Sequence, residues 1–185
     1  MASEKQRSKK KWYPIVAKGE FDKISLGESL VGSSKDLMGK TLHLNLMTLT
    51  NDPKKQGVTL VFKVTSVEED TGQAELMGYR LSTAHVKRVV RKAIRRLDDS
   101  FILTSKDNIT FVVKPLLIAR YRTNKKLGTA LRKRAREVFQ QVFQRMKSDE
   151  IFMYAISNRL QMDVKNDLKK IYPIAVSEIR VLERQ

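Results

Sequence analysis

The basic residues of this chain are concentrated in one segment, and this concentration limits how the chain can fold. Between Arg80 and Arg136 the sequence contains 17 Lys and Arg against three acidic residues, a net charge of +14 out of +17 for all 185 residues. Folding gains nothing from such self-repulsion, so these side chains must lie at the surface, and they indicate a polyanionic partner. Nucleic acid and an anionic membrane surface are the two candidates.

Residues 82–97 have the pattern of an amphipathic helix with one basic face. Apolar residues recur at helical spacing from Val86 to Leu97, and Ser82 or Thr83 can cap the amino-terminal end. The stripe lacks the Trp and Phe that anchor interfacial helices, which argues against a membrane. A merely solvated face is the alternative, but such surfaces usually mix both signs of charge. We predict that the stripe packs on the core and that six cations contact RNA, namely Lys87, Arg88, Arg91, Lys92, Arg95 and Arg96.

A second basic segment begins as a loop at Arg120 and continues into a long helix that reaches about Lys147. Its charge lies in the loop and the first turns, whereas the later turns have ordinary apolar spacing. Guanidinium groups bind two phosphate oxygens at once and stack on exposed bases, which suits RNA. The predicted contacts here are Arg120, Arg122, Lys125, Lys126, Arg132 and Lys133.

A third basic cluster lies at the start of the sequence and includes Lys9, Lys10 and Lys11. Residues 1–11 are predicted to form a flexible basic arm that orders on phosphate, with a merely solubilising terminus as the alternative. No apolar run precedes Trp12, so no signal peptide is expected there.

The fold class predicted from the pattern is α+β, with an antiparallel, barrel-like sheet flanked by helices in a single domain over residues 12–185. Alternation predicts strands over residues 41–49, a hairpin of residues 58–64 and 73–81 with Gly72 in its turn, and a hairpin of residues 101–105 and 109–121. Helices are expected over about residues 125–171, broken at residues 160–163, and a final strand over 174–182.

The sequence offers no catalytic, cofactor-binding or metal-binding constellation, so we expect a protein that is not an enzyme. There is no cysteine, and His43 and His85 are the two histidines, far apart in the chain. The neighbouring carboxylates, Glu68-Glu69-Asp70 and Asp98-Asp99, lie at the ends of predicted elements beside turn residues, where acids are common. Gly39-Lys40-Thr41 leads into a strand pattern and lacks the spacing of a phosphate-binding loop. No apolar stretch reaches the length of a membrane-spanning helix.

Several segments, in order, resemble one protein family over essentially the whole chain. They are KKKWY at residues 9–13, LGESLV at 26–31, LMGKTLHLNLMTLTND at 37–52 and KKIYPIAVSEIRVL at 169–182. With these, the chain resembles the small-subunit ribosomal proteins of archaea and eukaryotes that are known as the 3A family. The chain lacks the long terminal extensions of the eukaryotic members, so we expect an archaeal source.

The resemblance implies a barrel-like β core with flanking helices and a place in the cytoplasmic ribosome. There the protein would be a monomer on the platform of the small subunit, near the mRNA exit channel and the 3′ end of the rRNA. Its partners would be small-subunit rRNA and neighbouring platform proteins, with no membrane and no cofactor. Trp12 would either pin the basic arm to the body or stack on a base. An RNA-processing or RNA-modifying factor and a DNA-coating protein are the other hypotheses.

Overall fold

Strands form where apolar and polar residues alternate, and helices follow where the apolar spacing changes to three and four. The computed structural model describes residues 9–19, 21, 24–90 and 96–185. Within these residues nine strands are found: β1 Lys11–Ala17, β2 Ser25–Val31, β3 Thr41–Asn45, β4 Val58–Glu68, β5 Thr71–Leu81, β6 Arg96–Asp98, β7 Phe101–Thr104, β8 Thr110–Ala119 and β9 Ile174–Arg184. The helices of the same residues are α1 Leu46–Thr50, α2 Thr83–Val89, α3 Lys125–Arg145, α4 Ser148–Ile156 and α5 Arg159–Lys169.

All nine strands belong to one mixed sheet, whose main order is β2-β1-β5-β9-β8-β6. The strand β4 pairs with the other edge of β5 and carries β3, and β7 shares an edge of β8 with β6. The β1–β5 pair is parallel and the other pairs are antiparallel. Among the described strands no pairing joins the β2 or β3 side to the β6 and β7 side. The sheet is therefore not closed, and the predicted barrel is not confirmed.

The two predicted hairpins are present, but the turn of the first one differs from the prediction. Glu69 and Asp70 adopt φ values of 45° and 65° in the two-residue connection between β4 and β5. Gly72 instead lies inside β5, where it pairs with Ile15 of β1. A Cβ at Gly72 would be 3.3 Å from Ile15 Cγ1, so this glycine permits close packing rather than the turn.

Two other boundaries were predicted wrongly, and at each of them an asparagine lies at the start of a helix. The strand predicted over residues 41–49 ends at Asn45, whose side-chain oxygen accepts a hydrogen bond from Met47 N at 2.9 Å and begins α1. The break between α4 and α5 lies at Ser157 and Asn158 rather than at residues 160–163. Asn158 has φ 62°, and Leu160 and Gln161 are buried in α5.

The predicted basic helix over residues 82–97 is wrong at its carboxyl end. The helix α2 ends at Val89, Val90 is extended with φ −82° and ψ 112°, and Arg96 and Leu97 lie in β6. In β6 Leu97 is buried and pairs with Leu117 of β8. Residues 96–98 pair with an edge of β8 whose backbone hydrogen-bonding groups would stay unpaired if the helix continued to Leu97. In addition, the β-branched valines of this segment favour a helix only weakly. Residues 91–95 lie outside the described residues.

An aromatic core fixes the helices against β7 and β8. The Phe111 ring of β8 lies with its centroid 5.5 Å from those of Phe143 in α3 and Phe152 in α4. Phe101 of β7 contacts Phe139 of α3 at 5.6 Å. Edge-to-face aromatic packing holds α3 in one place on the sheet, and the amino-terminal turns of α3 then lie beside β6.

Candidate nucleic-acid interface

The helix α2 carries the first two predicted contacts on its outer face. Ser82 caps it by accepting a hydrogen bond from His85 N at 3.2 Å, and His85 Nε2 lies 3.2 Å from Glu178 Oε1 of β9. Val86 and Val89 are half-buried, whereas Lys87 and Arg88 are exposed in the last turn, where the helix dipole favours cations. The two cations make no ion pair within the described part of the chain.

Arg91, Lys92 and Arg95 belong to the same predicted set but lie outside the described residues, so their role as RNA contacts stays a prediction. Arg96 is the next described residue. It is exposed at the start of β6, and its Nε lies 2.5 Å from Asp98 Oδ2. A neighbouring carboxylate therefore neutralises part of its charge.

The loop between β8 and α3 has a defined backbone and free cationic side chains. Arg120 N donates to the carbonyl of Pro173 at 2.9 Å, and the Tyr172 hydroxyl donates to the Arg122 carbonyl at 3.1 Å. The guanidinium of Arg120 lies 5.9 Å from the centre of the exposed Tyr121 ring. Neither Arg120 nor Arg122 has an ion-pair partner among the described residues. The backbone bonds thus hold two arginines at the surface without neutralising them.

The first turn of α3 combines a helix amino terminus with two lysines. Asn124 caps the helix, since its Oδ1 accepts a hydrogen bond from Leu127 N at 2.8 Å. Lys125 and Lys126 are exposed, and no acidic residue occurs in this turn. The helix dipole disfavours cations at this end and attracts anions, so the arrangement suits a bound anion better than the free protein.

The arginines of α3 divide into two groups with different partners. Arg134 donates from Nε to Asp167 Oδ2 of α5 at 2.5 Å, and Arg136 Nη2 lies 3.0 Å from Asp99 Oδ2, with its guanidinium over the Phe101 ring. Arg132 and Lys133, about two helical turns after Lys125 and Lys126, have no such acidic partner in the described residues. The former pair joins α3 to its neighbours, whereas Lys133 is exposed and Arg132 is half-buried.

The Arg134 contact also explains a perturbed acid in the interface between α3 and α5. The hydrogen bond from Arg134 lowers the pKa of Asp167 below its ordinary value, with a smaller contribution from Lys170. A carboxylate held ionised in this way acts as a fixed partner for a helix–helix contact.

The predicted contacts around the start of α3 lie close together. A Cβ at Gly128 would be 3.2 Å from Leu97 Cδ2, which places β6 against the first turns of α3. At 1.5 Å per residue, the helix from Lys125 to Lys133 covers roughly 12 Å. We call this group the α3 basic surface; its members are Arg120, Arg122, Lys125, Lys126, Arg132 and Lys133. Arg96 is not a member, because side chains alternate along β6 and Arg96 lies with Asp98 on the face opposite to Leu97.

Lys9, Lys10 and Lys11 lie elsewhere on the molecule. Lys11 is the first residue of β1, and Ile15 of β1 is in register with Gly72 at the start of β5, so these lysines are near the beginning of β5. The helix α2 follows the other end of β5, and at about 3.3 Å per residue the two ends are roughly 30 Å apart. Residues 1–8 lie outside the described residues, so the flexible arm over residues 1–11 stays a prediction.

Other residue types give no sign of a catalytic or metal centre. Over residues 9–19, 21, 24–90 and 96–185 there is no group of three or more His, Asp and Glu that could hold a metal ion. His43 is exposed on β3, and His85 pairs with Glu178. The same part of the chain contains no helix of the length and apolar character needed to span a bilayer.

Exposed cations on a rigid framework, next to other cations that are used in ion pairs, are typical of proteins that bind polyanions. The Ribosomal S3Ae family matches residues 2–184, and the chain belongs to this family. It is a family of ribosomal proteins, so the chain is a structural ribosomal protein and not an enzyme.

Archaeal proteins are among the similar relatives. The small ribosomal subunit protein eS1 of Nanoarchaeum equitans is 30% identical over 172 residues, covering 93% of this chain and 87% of the relative. The proteins of the same name from Methanothrix thermoacetophila and Saccharolobus islandicus are 27% and 29% identical, over 94% and 92% of this chain and 82% of each relative. The expected family and its archaeal character are thus confirmed.

Proposed function

We propose that this chain is a structural component of the small ribosomal subunit that binds rRNA through the α3 basic surface and the outer face of α2. The relatives of this chain carry the name small ribosomal subunit protein eS1, which supports a place in the small subunit. Membership of a ribosomal protein family supports binding to rRNA. Phosphate contacts of this kind fix the position of a protein on folded RNA and carry little sequence information.

The observation that supports this proposal is the division of cations along α3. Arg134 and Arg136 are paired with acids of the same chain, whereas Arg122, Lys125 and Lys126 are exposed and have no such partner among the described residues. Clustered unpaired cations repel one another in the free protein, and an RNA backbone relieves this repulsion. The positive end of the helix dipole repels lysines in the first turn, and an anion bound at that end reduces this repulsion.

The proposal extends to a location and to partners that come from the family resemblance. The protein would lie on the platform of the small subunit, near the mRNA exit channel and the 3′ end of the rRNA, in the cytoplasm. It would contact neighbouring platform proteins as a monomer within the ribosome. Residues 1–11 would form a basic arm outside the single domain of residues 12–185, with Lys9, Lys10 and Lys11 near phosphates.

The alternative function, an RNA-processing or RNA-modifying factor, is not favoured. The chain belongs to a family of ribosomal proteins, and the described residues contain no group of three or more His, Asp and Glu that could hold a metal ion. Incubation with structured RNA should accordingly give no cleaved or modified product, even at many RNA molecules per protein. Duplex DNA should compete poorly against folded rRNA at equal salt, whereas a DNA-coating protein would show no preference.

Charge reversal on the α3 basic surface tests the proposal directly. With about eight phosphate contacts, the logarithm of the binding constant should fall with the logarithm of salt concentration with a slope of roughly −6 to −7. Replacing two contacts, as in Arg122→Glu combined with Lys126→Glu, should lower affinity for transcribed small-subunit rRNA about 100-fold or more at 150 mM salt. Filter retention over a salt series gives both the affinity and the slope.

Lys35→Glu combined with Lys63→Glu is the matched control, because Lys35 is exposed in the 3₁₀ helix Ser34–Leu37, which follows β2, and Lys63 is exposed on β4, away from the α3 basic surface. The control changes net charge by the same amount and should change affinity much less. Both double variants should melt within about 2 °C of the unmodified protein, since the replaced side chains make no described ion pair. Equal losses of affinity in the two variants would contradict a localised binding surface.

A further inference from the structure

Trp12, the single tryptophan of the chain, lies at the surface of the sheet instead of in the core. Its side chain is 64% exposed, and it is directly opposite Leu30 of β2, which is 42% exposed. Residues opposite each other on antiparallel strands have Cβ atoms about 5 Å apart, so the two side chains form one apolar patch. Of the two alternatives for Trp12, burial that pins the arm to the body is not what the structure shows.

Alternation along β1 separates this patch from the core. Ile15 and Ala17 point to the inner face and are fully buried, whereas Trp12 and Pro14 are exposed on the other face. The indole makes no ring contact within the described part of the chain. Single exposed apolar residues are common, but a flat aromatic ring beside a second exposed apolar side chain is a ready surface for a planar ligand.

The charges next to the patch indicate which ligand this is. Lys9, Lys10 and Lys11 immediately precede Trp12, are exposed, and form no ion pair with any described residue. Protein–protein interfaces are depleted in lysine near their apolar centres. Sites for single-stranded nucleic acid, in contrast, combine cations along the backbone with aromatic rings on which the bases stack.

We propose that Trp12 and Leu30 form a stacking platform for an unpaired RNA base, and that Lys9 and Lys10 contact the adjoining phosphates. This inference rests on the proposed rRNA-binding function for the identity of the polymer. It uses a different surface, however, because β1 begins near the start of β5, and α2 follows the far end of that strand. The protein would thereby hold folded RNA on one side and a single-stranded segment on another.

The tryptophan itself reports on this contact, since stacking of a base on indole changes its fluorescence emission. Full-length protein is titrated with a ten-nucleotide oligo(A) RNA while emission and the anisotropy of a labelled RNA end are recorded together. The emission should be quenched along the same saturation curve as the anisotropy. Binding of structured small-subunit rRNA, measured by filter retention, is followed in parallel as the test of the proposed function.

Variants separate stacking from charge. Trp12→Ala should weaken oligo(A) binding about 10- to 100-fold, as expected for the loss of one stacked base, and Trp12→Phe should stay within about threefold of the unmodified protein. Met162→Ala is the matched control, because Met162 is 57% exposed on α5, and should leave binding unchanged. Circular dichroism should show the same fold for all three variants, since each replaced side chain is largely in solvent.

The outcomes are distinct. Saturable binding of oligo(A) without a change in emission, or equal binding by Trp12→Ala, overturns the stacking platform and leaves the α3 basic surface untouched. The stacking platform is also overturned if the tryptophan emission changes when small-subunit proteins free of RNA are added but does not change when RNA is added. The patch is then a protein interface. Failure of the unmodified protein to retain structured rRNA refutes the proposed function, and this inference with it.

Discussion

Asp167 tests whether α3 uses one set of cations for folding and another for RNA. Its carboxylate is 16% exposed and accepts hydrogen bonds from Arg134 Nε at 2.5 Å and from Lys170 Nζ at 3.2 Å. The change Asp167→Asn keeps the shape of the side chain and removes its charge. We predict that it lowers the stability of the protein and leaves its affinity for rRNA unchanged.

The magnitude follows from the two contacts. A hydrogen bond to a charged group contributes about 1.5–3 kcal/mol, and a neutral one about 0.5–1.5 kcal/mol, so weakening the Arg134 contact costs about 1–1.5 kcal/mol. Lys170 is 77% exposed and adds little, because solvent screens such a pair. For a chain of this length, that loss lowers Tm by about 2–6 °C.

The pH dependence provides a second test of the same contact. The folded state lowers the pKa of Asp167 below its ordinary value of 3.8, so its contribution is complete above that pH and is lost as the pH falls further. The stability difference between the unmodified protein and Asp167→Asn should therefore be constant from pH 5 to 7 and should shrink below pH 4. A difference that persists undiminished at the lowest pH at which both proteins fold would mean that the cost is not electrostatic.

The assay is urea unfolding followed by circular dichroism, with rRNA retention measured on the same preparations. Lys133→Ala, one residue before Arg134, is the control with the opposite expectation. It should unfold like the unmodified protein, lower RNA affinity severalfold and reduce the salt slope by about one. Should Asp167→Asn lose affinity as strongly as Lys133→Ala, or Lys133→Ala lose as much stability, the division of cations along α3 would be refuted.

Two further predictions concern residues that hold the fold together. Partial desolvation raises the pKa of Asp107, but Asp107 accepts hydrogen bonds from Ser105 and from Ser148 N, and these outweigh the desolvation. The pKa of Asp107 is thereby lowered to about 2. Asp107→Ala should thus cost on the order of 1 kcal/mol at pH 7 by uncapping α4, a loss that disappears as the pH falls from 3.8 towards 2 in urea titrations. Gly72→Val should destabilise by about 1–3 kcal/mol through overpacking against Ile15, and equal stability by thermal melting would disprove the close approach of β1 and β5.

Local patterns in the sequence were sufficient for most elements and for the charge distribution. Residues 58–81 and 101–121 contain the two predicted hairpins. The long helix was expected because its apolar spacing is regular, and Asn124 caps it one residue before its start. Such features depend on neighbouring residues and on side-chain period, which the sequence contains directly.

The sequence could not assign partners to individual cations. Arg134 and Lys133 are adjacent and chemically alike, yet Arg134 meets Asp167, 33 positions away in the chain, and Lys133 meets no described acid. Likewise, the predicted stripe in residues 82–97 fits a helix, but Leu97 pairs with β8 instead. Helical spacing cannot reveal that a distant strand has an open edge.

What the sequence by itself determined is the composition of the surfaces, because a net charge of +14 within residues 80–136 cannot be buried, and this charge indicates an anionic partner. The tertiary structure alone decided which of these cations are neutralised within the chain, that the lysines before Trp12 lie about one strand length from α2, and that the sheet stays open. These properties depend on contacts between residues far apart in the chain, and such contacts form only when the strands pair and the helices pack.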